Sequence, residues 1–156
     1  MVNQFSNIVN KLVYRILTQA CRDPYSTNYG SFDRNWWHYK IRDFPSVILQ
    51  QGTYAIYKAS FLGGFVNKRL YFQGLAVAGC QHWAKRALKF RSFEEYYPWE
   101  SGYPPLAFST LAVLKVIKES GCDDKLLIPA IKIAAKQLSE RFEAQALNQQ
   151  IAGLAA

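Results

Sequence analysis

Carboxylates are in short supply in this chain: 11 Asp and Glu stand against 19 Lys and Arg among 156 residues, a formal charge of +8. A surface of that sign attracts polyanions, whether nucleic acid, acidic polysaccharide or an anionic membrane. Cysteine is scarcer still. Cys21, Cys80 and Cys122 are odd in number, far apart, and form no CxxC or Cys/His ligand spacing. The pattern argues against a zinc site and a disulfide framework, and for reduced, buried thiols in a cytoplasmic protein. No apolar run reaches the length of a membrane span. Lys11 and Arg15 interrupt MVNQFSNIVNKLVYRILTQA, which therefore does not read as a signal peptide. A phosphate-cradling glycine loop, a dinucleotide fingerprint, GxSxG and HExxH are all missing, so nucleotide hydrolysis, hydride transfer and zinc proteolysis lack support. No cofactor and no metal are expected.

What is present is apolar and ring-rich. Half of the residues are apolar and 15% are aromatic. The length suits one domain, residues 1–156, with a sizeable core. Apolar positions at Phe5, Ile8, Val9, Leu12, Val13, Ile16 and Leu17 follow a three-and-four spacing and predict a first amphipathic helix over 5–20. Residues 21–43 read as a loop. Pro45 suits the first turn of a second helix over 45–61, ended by Gly63–Gly64. A third helix is predicted over 68–90, a fourth over 104–119 with Gly121 as its cap, and a fifth over 124–142. The final segment, FEAQALNQQIAGLAA, is helix-prone. No strand alternation runs beyond a few residues. The fold class is all-α, with helices paired as antiparallel hairpins. In such an array the second, fourth and last helices point the same way. Two long loops then share one face.

Those loops hold the chemistry. The first, DRNWWHYKIRD, carries Arg34, Trp36, Trp37, His38, Tyr39 and Arg42. Trp and Tyr faces stack on sugar C–H surfaces or on bases. His38 and Tyr39 are candidate proton-transfer groups, and the two arginines suit carboxylates. The plainer reading packs Trp36 and Trp37 under the loop and leaves Arg42–Asp43 to cap the second helix. The second loop, EEYYPWESGYPP, carries Glu94, Glu95, Glu100, Tyr97, Trp99 and Tyr103. Its carboxylates are candidate acids or bases and its rings a platform, stiffened by proline. The plainer reading makes Glu94 and Glu95 solvated surface charges. A third run, Asn148, Gln149 and Gln150, offers side-chain amides; Asn148 is taken as a substrate contact.

In their order along the chain, FDRNWWHYKIRDFPSVILQQG, SFEEYYPWESGYPPLAFSTLAVLKVI and EAQALNQQIAGLAA resemble the N-terminal part of an uncharacterised bacterial α/α-toroid family. That family is related to the six-hairpin glycosidases and heparinase II/III-type polysaccharide lyases. The resemblance covers residues 20–156 and implies a partial toroid with a glycan cleft at one end of its inner helices. It implies carbohydrate binding or processing, linked to cell-surface polysaccharide. Roughly twelve helices close a toroid and about six are predicted here, so a fragment, a truncation or a homo-oligomer is implied. The partner would be a polysaccharide or oligosaccharide.

Two mechanisms remain open if catalysis occurs. Lyase chemistry needs a Tyr or His base and Arg or Asn on a uronate carboxylate. Hydrolysis needs two carboxylates, drawn from Glu94, Glu95 or Glu100 and Asp33 or Asp43. A non-catalytic glycan- or protein-binding module is the first alternative. A basic nucleic-acid binder centred on Lys85, Arg86, Lys89 and Arg91 is the second, ranked last because the rings lie in acid-containing loops.

Overall fold

The computed structural model describes residues 2–32, 36–37, 40–41, 47–95 and 100–156. Six α-helices account for most of them. They are α1 (Val2–Gln19), α2 (Gly52–Ala59), α3 (Arg69–Phe90), α4 (Tyr103–Ser120), α5 (Leu127–Ser139) and α6 (Leu147–Ala155). Short 3₁₀ segments, Val47–Gln51 and Gly63–Lys68, lead into α2 and α3. Among the described residues the extended structure is one antiparallel pair, β1 (Trp36–Trp37) with β2 (Lys40–Ile41), in the register Trp36 to Ile41. The fold is all-α, as the periodicity requires.

Hydrogen bonds fix the direction of each neighbour. Gln50 reaches Gly79 and Arg69 reaches Ser60, so α2 and α3 run antiparallel. Trp83 bonds Ser109 while Phe93 bonds Gly102, so α3 and α4 run antiparallel too. Arg141, just past α5, holds Ser101, just before α4. Packing then sorts the helices into two rows. Helix α4 touches α2 and α6 in one row, and α3 touches α5 in the other, with α1 against α2.

Helix α3 is the centre of the core. It buries Phe72, Leu75, Ala76, Ala78, Cys80, Trp83, Ala84 and Ala87, so apolar groups surround much of its circumference. Its many small side chains let the neighbouring backbones approach closely. Trp83 fills one cluster with Phe93, Leu106, Val113 and Val116. Phe72 fills a second, with Val13, Leu17 and Phe32. Local signals close the helices where expected. Gly121 caps α4 in the left-handed region at φ +68°, donating its N–H to Ile117. Arg91 ends α3 the same way at φ +52°, although it is not glycine.

At one end of this array the entries to α2 and α4 come together. The N–H of Val47, at the entry to α2, donates to the carbonyl of Glu94 at 2.8 Å, and the N–H of Gly102, before α4, donates to Phe93 at 3.0 Å. The starts of α2 and α4 are therefore neighbours.

Candidate functional site

Two anchors hold the roots of the ring-rich loops. The first is Gln50, 3% exposed. Its amide nitrogen donates to the carbonyls of Gly30 at 2.9 Å and Gly79 at 3.1 Å, and lies 3.0 Å from Thr53 Oγ1. Its amide oxygen accepts the N–H of Phe32 at 3.3 Å. Gly30 adopts φ +86°, and a β-carbon there would overlap the Ala78 backbone. Glycine is needed at Gly30 for both its dihedral angle and its space. The clamp fixes the chain up to Phe32, where the first loop begins.

The second anchor is Glu94, 1% exposed. Its Oε1 accepts from Arg86 Nη2 and from Ser92 Oγ, both at 2.9 Å. The Arg86 guanidinium also lies 4.4 Å from the centre of the Phe90 ring. Among the described residues, Glu94 Oε2 and Arg86 Nε are buried without a hydrogen-bond partner. Such an orphaned carboxylate oxygen is costly in a core and is where a ligand donor fits. Glu94 is thus a buried ion-pair partner rather than a solvated surface charge.

Other candidates fall in varied settings. Glu95 and Glu100 are half-buried. Oε2 of Glu95 would sit 3.6 Å from a β-carbon at Gly102, which places this carboxylate at the start of α4. Two of the first α4 residues, Pro104 and Pro105, bring no N–H to that end. Tyr103 is buried against α6, its hydroxyl beside Gly153. Burial first, and the nearby Glu143 charge second, push its phenol above the usual range, while a hydrogen bond with Gln150 opposes them. From the NQQ run it is Gln150 that reaches inward; Asn148 is exposed on α6. Tyr103 therefore joins two helices, a role the loop composition did not reveal.

Arg34, His38, Tyr39, Arg42, Tyr97 and Trp99 lie outside the described residues, as do the side chains of Trp36 and Trp37. The alternative basic surface is also partly spent, because Arg86 faces Glu94 and Lys89 lies over the Phe90 ring at 4.9 Å.

The sequence reading missed Gln50, Thr53, Gly30, Gly79 and the Arg86–Glu94 pair. Only a glutamine inside PSVILQQG hinted at the first cluster, and a glutamine on a helix is ordinary. Among the described residues no group of three or more His, Cys, Asp or Glu is placed to hold a metal. None of the described helices is long and apolar enough to cross a membrane. Cys21 and Cys80 are buried and Cys122 is half-buried, and none of the three is in a disulfide. Burial pushes the Cys80 thiol up to about 12, with Cys122 adding to the effect. Compared with known proteins, the chain matches no family model, no curated protein and no solved structure.

Proposed function

We propose that this chain binds a polysaccharide or oligosaccharide between the loops 33–46 and 91–102, as a partial α/α toroid in the cytoplasm acting on cell-surface-type glycan. The observation that supports it most directly is the Val47-to-Glu94 bond, which joins the end of one ring-rich loop to the start of the other. Trp36, Trp37 and Trp99 are the stacking surfaces in this reading, with Tyr97 beside them. Arg34 and Arg42 take acidic groups on the sugar. Glu94 Oε2 accepts a hydroxyl or amide donor from the loops or the ligand.

Processing of the glycan, by hydrolysis or by lyase elimination, then falls to His38, Tyr39, Glu95 and Glu100. A non-catalytic module is the second reading. It is favoured by the state of Glu94, one oxygen of which already serves Arg86 and Ser92. A completed ring, from a second copy or further chain, belongs to the same proposal.

A glycan-array scan of the chain beside Trp37→Ala and Trp99→Ala tests the reading. Binding that both variants abolish supports a ring-lined cleft. Binding unchanged in both sinks it. Ultraviolet absorbance of unsaturated sugar products, compared between the wild type and His38→Ala, separates the lyase from a pure binder.

A further inference from the structure

Charge is divided unevenly along the chain. Before Glu94 there are 13 Lys and Arg and three acids, Asp23, Asp33 and Asp43; from Glu94 onward there are six and eight. Helix α1 has no acid at all, and neither does the stretch from Phe44 to Phe93. These two acid-free segments meet. Tyr14 of α1 packs its ring on Phe65 at 5.6 Å, and Lys68 sits 5.5 Å over the Tyr14 ring. Between them is an open recess of about 510 Å³. Leu17 and Phe72 form its buried floor, Tyr14 and Tyr71 line it, and Arg22 and Lys68 supply two cations. Among the described residues no carboxylate lines it.

Large aliphatic side chains are exposed on both segments. Leu70 is 83% exposed, Ile8 57%, Val66 54% and Leu12 53%. Lys11 and Arg15 on α1 and Arg69 on α3 are exposed as well. Exposed aliphatic groups together with cations, on two segments that hold no acid, match the boundary of a bilayer. There the cations meet phosphates and the side chains enter the acyl region. A nucleic-acid backbone satisfies the cations but gives Leu70 and Val66 nothing to be buried in. By helix rise from Phe72 to Phe90, the recess lies about 27 Å along α3 from the start of the second ring-rich loop.

We infer that this face docks on an anionic phospholipid surface, with the recess taking a lipid phosphate headgroup between Arg22 and Lys68. Contact is peripheral: Leu70 and Val66, on either side of Lys68 in the sequence, dip beneath the phosphates. The inference does not rest on the glycan reading, since it uses neither ring-rich loop.

Co-sedimentation of the full chain with vesicles tests it, using phosphatidylcholine alone and equal parts phosphatidylcholine and phosphatidylglycerol. The protein should pellet only with the mixed vesicles. Lys68→Ala should weaken that binding about fivefold, as one cation near an anionic surface does. Leu70→Glu should weaken it about tenfold or more through the lost apolar insertion. Both side chains are exposed, so circular dichroism should show an unchanged fold, and Val66→Glu gives a second reading of the same effect. No pelleting with mixed vesicles overturns the inference. So does pelleting that neither Leu70→Glu nor Val66→Glu alters, because charge alone would then explain it. Duplex DNA bound as tightly as the vesicles, and equally well by Leu70→Glu, would assign the face to nucleic acid instead.

Discussion

Gln50 and Glu94 do the same job at the roots of two loops, and they are built differently. At Gln50 a neutral amide meets donors and acceptors from three chain segments, and both of its polar atoms are used. At Glu94 two full charges meet, and one polar atom on each side chain has no partner among the described residues. A satisfied neutral network inside a core adds rigidity at little desolvation cost. A half-satisfied ion pair there is a poor source of stability, because two ions are taken from water for one good contact. The contrast teaches that the first anchor is fully paired, while the second leaves one carboxylate oxygen without a partner among the described residues.

The most severe way to break the first anchor is Gly30→Ala. Its β-carbon has no space against Ala78, and φ +86° is strained for alanine. We expect a loss of roughly 4 kcal/mol or more, read by urea denaturation. Gln50→Leu should cost about 3 kcal/mol, since it leaves the Phe32 N–H and the Gly30 and Gly79 carbonyls unpaired.

The second anchor should fail more gently and be replaceable. Arg86→Met leaves Glu94 buried without its cation, at a cost of about 2–3 kcal/mol; the 18% exposure of Arg86 discounts the full buried-pair penalty. The double variant Arg86→Met with Glu94→Leu should recover most of that loss and still lose glycan binding. Equal damage from the single and double variants would show that the pair is structural like Gln50.

The two loops also differ in how the chain enters them. The first uses glycine at its left-handed position, Gly30, whereas the second uses Arg91 at φ +52°. Arg91→Gly should therefore stabilise the protein by about 0.5–1 kcal/mol, visible as a higher melting temperature. Its carbonyl still accepts from Gln137, so that bond is kept.

The smallest effect belongs to two carboxylates away from both anchors. The N–H of Leu126, with help from Gln81, holds the Asp124 carboxyl below the usual range. The Tyr54 hydroxyl and then Lys58 do the same for Glu119. Groups whose folded pKa is depressed stabilise the fold above their unfolded value, about 4, and lose that contribution as pH falls through the folded one. Thermal melts from neutral pH downward should show this acid loss, and Asp124→Asn or Glu119→Gln should shrink it.

How legible all this was depends on range. The first helix, the proline start at Pro104 and the Gly121 cap are visible in a few consecutive residues, whereas the second helix, expected over 45–61, is a 3₁₀ segment over Val47–Gln51 and an α-helix only over Gly52–Ala59, with Pro45 outside the described residues. The third helix was visible by extent, yet its burial on so many sides was not, because Ala76, Ala84 and Ala87 look neutral until packed. Predicted α5 was too long at both ends: Asp124 and Arg141 bond outward to Gln81 and Ser101 rather than within the helix. The two loops were recognisable as unusual by their rings and charges, and the nearness of the entries to α2 and α4 followed from helix count alone. The fate of single residues within them did not. Glu94 looked like its neighbour Glu95, and Tyr103 like Tyr97.

By itself the sequence determined an all-α chain, its antiparallel hairpins and the end at which the entries to α2 and α4 meet. Those follow from apolar spacing, caps and chain reversal, which act over a few turns. Tertiary structure alone decided that Gly30 must be glycine, that Gln50 is an anchor, and that Arg86 belongs to Glu94. Each of those depends on atoms brought together from distant segments or across a helix end, where the local code is silent about burial and distance decides the energy.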